Sequence, residues 1–400
     1  MRGLVFLLLF LGTAAIGQSR AARETAFQDW LATTVWPQAQ SAGVSRGTFD
    51  QAFAGVTLNW DLPDLIPPAQ QGAQSQAEFG APGRYFGAGP LRSAADIGRQ
   101  EAQRHAGILA RIEAETGVPG HILLAIWGRE SSYGRAAIPY NVFEVLGTKG
   151  FAAPRSDYFT RELIAALQIA EGGAAPRDLK SSWAGALGQP QFMPSNYLRY
   201  ATDGDGDGRA DIWGSAPDTL ASIAAYLKAK GWVAGRDWGF EVTLPLSVSC
   251  TLEGPDQGRP IRDWAAMGIT QVSSKPFPAH ELRGIGYLML PAGRLGPAFI
   301  VTPNFYVLKE YNTSDVYALF VGHVGDRIAY GAGDFSADWE PIDTLLRRDV
   351  VALQEALIGM GYDVGGADGL VGFKTRRSIG RWEEARAEVA VCFPKAGMVR

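Results

Sequence analysis

The residue best placed to do chemistry is Glu130, within the stretch TGVPGHILLAIWGRESSYG that runs from Thr116 to Gly134. Leu123, Ile126, Trp127 and Glu130 follow one another at helical intervals, so they share one face, and a carboxylic acid closes an apolar stripe. Gly117-Val118-Pro119 reads as the start of that helix and Gly134 as its end. Glu130 then falls in the last turn, where the helix dipole disfavours negative charge. Burial and dipole both raise a carboxyl pKa and keep its proton on at neutral pH, the state a general acid needs. The competing structural reading is a Glu at the rim of a core helix, paired with an arginine.

A second set of residues has the spacing of metal ligands. Asp203 to Asp211 reads DGDGDGRAD, with carboxylates at alternate positions and Gly208 sixth, the pattern of the first half of an EF-hand-like calcium loop. Asp203, Asp205 and Asp207 would offer side-chain oxygens and Arg209 its backbone carbonyl. Gly214 stands where the usual closing glutamate would be, which leaves Asp218 in the following helix as the candidate last carboxylate. The expected cofactor is Ca2+ in a structural role, since the loop lies between two core helices and binding would stabilise the fold. An acidic Asx-turn loop that holds no metal is the alternative.

Two further stretches have binding chemistry. SSWAGALGQPQFMPSNYLRY, from Ser181 to Tyr200, combines small residues that let a ligand approach the backbone with amides and hydroxyls that direct hydrogen bonds. A tight helix–helix junction would favour the same small residues. Tyr311, Asn312 and Tyr317 suit stacking on sugar rings or bonding their hydroxyls, although a tyrosine bonded to a backbone carbonyl is the commoner arrangement.

The elements that must position these residues are mostly helical. The region from Glu24 to Gly55 predicts two short helices, and Ser93 with Asp96 reads as a capping box before another. Helices are also predicted from Tyr158 to Ala170, from Pro194, from Asp218 to Gly231 with Tyr226 beside its apolar stripe, and from Ser314-Asp315. Glu241 to Thr251 reads as a strand, and Phe305 to Val307 as a short strand or approach segment. Asp61 to Leu91 is rich in Pro, Gly and Gln and reads as a long loop, and Gly331 to Pro341 as a linker. The tail, LLRRDVVALQEALIGMGYDVGGADGLVGFKTRRSIGRWEEA, predicts three short amphipathic helices, a satellite module near the lower limit for independent folding.

Composition narrows the partners. At 400 residues, 46% apolar and 20% charged, the chain is an ordinary globular protein of more than one domain. Thirty-seven basic against 41 acidic residues leave no basic block for a nucleic acid. One basic residue, an apolar run from Leu4 to Leu11 and small residues at Ala15 and Gly17 form a secretory signal peptide over residues 1–17. Cys250 and Cys392 are the only cysteines, so none lies at the cleavage site to carry a lipid anchor. In an oxidising compartment the two could pair; as two buried thiols they would serve only packing. The expectation is a soluble periplasmic protein.

IWGRESSYG, then SSWAGALGQPQFMPSNYLRYATDGDGDGRADIW, then NFYVLKEYNTSD resembles, in order and spacing, the lytic murein transglycosylases of the membrane-bound lytic transglycosylase B type. The resemblance covers about residues 24–333, and GQPQFMPS is its most diagnostic part. LQEAL, GYDVGGADGLVG and KTRRSI, within residues 341–390, look like a small three-helix peptidoglycan-binding domain. The resemblance implies a mainly α fold, a lysozyme-like α+β catalytic core, acting on peptidoglycan glycan strands. It implies that Glu130 is a single acid/base that cleaves between N-acetylmuramic acid and N-acetylglucosamine without water, leaving a 1,6-anhydromuramoyl end. Ser182, Gln191, Tyr226, Tyr311, Asn312 and Tyr317 match positions that line the cleft, and Asp203, Asp205, Asp207 and Asp218 match calcium ligands. Gln189 stands where the family often has an aromatic. Cell-wall synthesis or division proteins are candidate partners. The rival readings are a hydrolytic muramidase, which needs a second carboxylate, and a catalytically inactive wall-binding protein.

Overall fold

The computed structural model describes residues 20–65, 81–342 and 345–398. The expected signal peptide and the middle of the Pro/Gly-rich stretch lie outside those residues. Two compact units interleave along the chain: Met1–Gly72 with Gly134–Ser222, and Ala73–Tyr133 with Ile223–Arg400.

The first unit is helical. A helix over residues 20–30 passes through a π-turn at Leu31–Val35 into Trp36–Ser41, and Arg46–Phe53, Val142–Ala152, Ser156–Glu171 and Pro194–Tyr200 follow. Polar caps set their starts: Ser45 accepts from the Thr48 amide, and Asn141 accepts from the amides of Phe143 and Glu144. Phe27, Leu31, Val35, Phe49, Phe143, Leu146, Leu163 and Leu167 form its core. Burying side chains of this size stabilises by about 1.5–3 kcal/mol each.

The second unit has a helical part and a sheet. Gly120–Ser131 packs against Asp315–Tyr330 and Ala88–Arg104, and Ala106–Thr116 and Pro303–Tyr311 complete the helical part. The sheet is antiparallel, in the order Arg259–Pro260, Ile285–Met289, Ala298–Val301, Gly239–Thr243, Thr270–Gln271. Its strands bury Val242, Leu288 and Ile300 against Trp264 and Ile261.

Several local expectations are corrected. Ser93 is not a cap, because the helix has already begun at Ala88. Phe305 to Val307 is helical within Pro303–Tyr311: Thr302 caps it by accepting from the Asn304 amide, and Pro303 sits in the first turn. The aromatic and β-branched residues that read as a strand serve core packing instead. Glu241 to Thr251 is a strand only as far as Thr243.

The stretch from Gly331 to Pro341 is a packed strap. Glu241 accepts from the amides of Ser336 and Ala337, Trp339 stacks on Phe86, and Phe335 lies 4.0 Å from the His323 ring. The tail forms two helices among the described residues, Arg347–Gly359 and Phe373–Ala385, where three were expected. Gly361, Gly365 and Gly369 between them all take positive φ, which no continuing right-handed helix contains.

Nor is the tail a satellite. It belongs to the second compact unit. Leu353, Leu357, Val364 and Ile379 form its own small core, and Val350, Val371 and Phe393 pack with Ala292 of the sheet region. Cys250 and Cys392 are joined in a disulfide, and Gly380 makes room for it, since a Cβ there would collide with the Cys392 sulfur. Replacing both cysteines by serine is expected to lower the stability of this unit by about 2–4 kcal/mol. Calorimetry of the variant against the oxidised protein measures it, and unchanged unfolding would show that the bridge does not restrain the tail.

Candidate active site

The Gly120–Ser131 helix is apolar along most of its length, with Ile122 to Trp127 all buried. It ends through two successive non-glycine residues in the left-handed region, Ser132 at φ 51° and Tyr133 at φ 59°. Such strain persists only where surrounding structure over-determines it. Here the Ser132 amide bonds the Gly128 carbonyl, and the Tyr133 amide reaches back to that of Trp127. The Tyr133 ring folds over Gly128, where any Cβ would meet it, and its hydroxyl donates to the Ala94 carbonyl at 2.7 Å. This stop holds the last turn, and Glu130 with it.

Glu130 accepts a hydrogen bond of 2.5 Å from the Tyr317 hydroxyl. Burial raises its carboxyl above the ordinary glutamate value, while the Tyr317 bond and the charge of Arg129 pull the other way and are outweighed. The arginine-paired rim residue is therefore not what forms. The Arg129 guanidinium stacks over the rings of Tyr85 and Phe320, 4.6 and 5.2 Å from their centres, and donates to the Tyr85 hydroxyl.

Tyr317 is fully buried, and burial together with the Glu130 charge holds its phenol proton on well beyond neutral pH. It stands one turn into its helix, where Ser314 caps the Tyr317 amide. Tyr311 also feels the Glu130 charge, and its ring lies 5.1 Å from that of Tyr226. The Tyr226 hydroxyl is committed to the Glu310 carbonyl at 2.5 Å. Tyr226 thus packs edge-to-face with Tyr311. Asn312 sits at the turn between the two helices, where its side chain accepts from the Ser314 amide.

Ser182 and Gln191 belong to the first unit. Ser182 accepts from the Ala186 amide, and Gln191, itself at φ 53°, donates to the Gly188 carbonyl. Gln189 is buried and donates to the Trp213 carbonyl, so it holds the loop together.

In the same unit the acidic loop gathers Asp203, Asp205 and Asp218, whose carboxylate oxygens lie within 4.8 Å of one another. Three hard oxygens at that separation suit a calcium ion. Asp218 is buried, accepting from the amides of Gly204 and Asp211 at 2.7 Å each. Asp207 stands outside that group and accepts from the Arg209 amide. Asp211 and Ser215, not foreseen from the sequence, complete the loop: Asp211 accepts from the amides of Trp213 and Gly214, and the Ser215 hydroxyl donates to Asp205. Amides turned onto the Asp203 carboxylate keep it ionised below the usual range.

Comparison with known proteins decides the family. The transglycosylase SLT domain matches residues 26–326. The chain belongs to that family. Membrane-bound lytic murein transglycosylase B of Escherichia coli strain K12 is 34% identical over 223 residues, 53% of this chain and 58% of that relative. The chain thus aligns with less than two thirds of it. SltB3 from Pseudomonas aeruginosa in complex with NAG-NAM-pentapeptide is 36% identical, with a TM-score of 0.84 over 93% of this chain and 98% of that one. A second structure of SltB3, with NAG-anhNAM-pentapeptide, matches at 36% identity and a TM-score of 0.83, over the same 93% and 98%. The Escherichia coli Slt35 structure in complex with calcium is 28% identical, with a TM-score of 0.59 over 77% of this chain and 93% of that one. Glu130, Tyr311, Tyr317 and the acidic loop all fall inside the family match, and the two tail helices fall beyond it.

Tyr317→Phe removes a hydroxyl that bonds Glu130 and favours its charged form. Turnover is expected to fall by about 10–100-fold, the range for a hydrogen bond to an ionisable group. The alkaline limb of the pH–rate profile should move to higher pH, because the acid loses a donor that stabilises its anion. An unmoved limb would mean that the Tyr317 bond does not act on the acid.

Proposed function

We propose that the protein is a lytic transglycosylase of the peptidoglycan glycan strand, with Glu130 as its single acid and base. The observation that carries this reading is the buried carboxyl at the end of the Gly120–Ser131 helix, held by the Tyr317 hydroxyl and raised by burial above the ordinary glutamate value. Glu130 first donates its proton to the glycosidic oxygen between N-acetylmuramic acid and N-acetylglucosamine as the C1–O bond breaks. The muramoyl 2-acetamido oxygen shares the positive charge that develops at C1. Glu130, now a carboxylate, takes the proton from the muramoyl C6 hydroxyl as O6 bonds to C1. Its proton is restored and no water is consumed. A hydrolase would need a second carboxylate as nucleophile or as base for water. An intramolecular hydroxyl already in place needs much less help. The anhydro-sugar ligand named for SltB3, whose structure aligns along nearly the whole of this chain, supports the same product.

The acidic loop fits a structural Ca2+ held by Asp203, Asp205 and Asp218, in keeping with the calcium complex of Slt35. Asp207 and the Arg209 carbonyl are the further oxygens the loop pattern offers. The reaction belongs outside the cytoplasm, on the cell wall. The apolar N-terminal run and the disulfide agree with a periplasmic location. The tail is read as contacting the same polymer.

Mass spectrometry of murein sacculi digested with the protein and with Glu130→Gln tests the reading. Anhydromuramoyl products are expected from the first, and from the second a rate lower by about 10²–10⁴-fold, the usual contribution of a general acid. Reducing-end products from the native protein would make it a muramidase. Glu130→Gln should also lose part of the pH dependence of stability. A carboxyl raised by folding adds stability at low pH that disappears as pH rises through its folded pKa, and glutamine keeps the neutral form throughout.

Calcium at about 100 times its Kd should add about 2.7 kcal/mol to stability. Melting curves with Ca2+ and with chelator measure the increment, which Asp218→Asn should abolish. An increment of zero in the native protein would remove the site.

A further inference from the structure

The tail carries a buried arginine whose contacts run toward the acid. Arg376, in the Phe373–Ala385 helix, is 3% exposed. Its guanidinium forks onto Glu253 at 2.6 and 3.1 Å, bonds the Val371 carbonyl at 2.7 Å, and reaches the Asp315 carboxylate at 3.1 Å. Burial removes hydration from the cation, and the two carboxylates more than compensate, so it stays charged. Glu253 is itself anchored, accepting from the Leu290 amide at 3.0 Å.

Asp315 is the first residue of the helix that carries Tyr317. Its other oxygen takes Lys309 at 2.6 Å, and Lys309 lies in the last turn of the helix that ends at Tyr311. The carboxylate of Asp315 therefore closes the short turn between the helix that ends at Tyr311 and the helix that carries Tyr317. Burial alone would raise this carboxyl, and Lys309 and Arg376 together hold it ionised. From Asp315 the path is brief: Ser314 caps the Tyr317 amide, and the Tyr317 hydroxyl holds Glu130 at 2.5 Å.

We infer that Arg376 is a positioning residue for catalysis: through Asp315 it fixes the turn that sets Tyr317, and through Tyr317 the acid Glu130. This inference rests on the transglycosylase reading for its chemistry. It makes the tail part of the catalytic apparatus, whatever polymer the tail touches. A neighbouring pair provides an internal control. Arg377 binds Asp256 at 3.0 Å and so also docks the tail, yet it makes no ion pair with Asp315.

The experiment measures kcat and KM on soluble glycan chains for the native protein, Arg376→Gln, Asp315→Asn, Arg377→Gln and Tyr317→Phe. Arg376→Gln is also combined with Tyr317→Phe. Arg376→Gln and Asp315→Asn are expected to lower kcat by about tenfold, as small misplacements of a catalytic group do, with KM changed by less than about twofold. Arg377→Gln should change kcat by less than about twofold. In the Tyr317→Phe background, loss of Arg376 should cost less than about twofold further, because the path is already cut.

Native kcat in Arg376→Gln would overturn the inference. So would an equal fractional loss in the Tyr317→Phe background, or a loss in Arg377→Gln as large as in Arg376→Gln. Should Arg376→Gln fail to fold, the isosteric Asp315→Asn carries the same comparison. The infrared band of the Glu130 carboxyl, isolated as the difference between the native protein and Glu130→Gln, gives a readout that needs no turnover. It should move in Arg376→Gln in the same direction as in Tyr317→Phe, and an unmoved band would overturn the inference. Reducing-end products from the native protein would instead overturn the transglycosylase reading alone, since the same variants then report positioning on hydrolysis.

Discussion

The acid/base role proposed for Glu130 needs surroundings that hold neither protonation state too firmly. Glu130 meets this through opposing influences: burial favours the neutral acid, while the Tyr317 hydroxyl and the Arg129 charge favour the anion. Tyr317 can only donate here, since burial and the adjacent acid keep its own proton in place. The remaining structure around the site fixes these two side chains. On one side the left-handed Ser132 and Tyr133 stop the helix immediately after Glu130. On the other the Ser314 cap and the Asp315 ion pairs start the helix of Tyr317.

The docking of the tail follows from the same constraint. A module of roughly forty residues buries too little apolar surface to stand firmly alone. Here it shares a core with the sheet region, is bridged by Cys250–Cys392, and buries Arg376 against Glu253 and Asp315. A tethered binding module would serve by raising local concentration, and needs only a linker of adequate reach. The strap from Gly331 to Pro341, with Phe335 and Trp339 packed into aromatic clusters, is no such linker. A buried charge pair is weak evidence for stability, because desolvation offsets much of the attraction. Its value is in fixing one arrangement over others.

The acidic loop meets a different demand. Its carboxylates repel one another, and backbone amides from Gly204, Gly206, Gly208 and Asp211 are turned onto Asp203 and Asp218 to hold them close. A cation would add to a geometry already formed.

Much of this was legible in the sequence because it is local. Helical spacing placed Glu130 on an apolar face near a helix end, alternate aspartates marked the loop, and Ser314-Asp315 marked a helix start; each signal spans a few residues and acts through backbone geometry. What failed locally was overruled by packing. Phe305 to Val307 has strand-forming side chains but lies in a helix whose cap is set by Thr302 and Pro303. Tyr317 meets Glu130 across 187 residues, Arg376 meets Asp315 across 61, and Cys250 meets Cys392 across 142. No periodicity reports a contact at such separations, because it depends on how whole elements pack. The sequence by itself determined that a carboxyl closes an apolar helix face near the end of that helix. Only the tertiary structure decided that the Tyr317 hydroxyl bonds that carboxyl, and that the tail reaches the turn beside it.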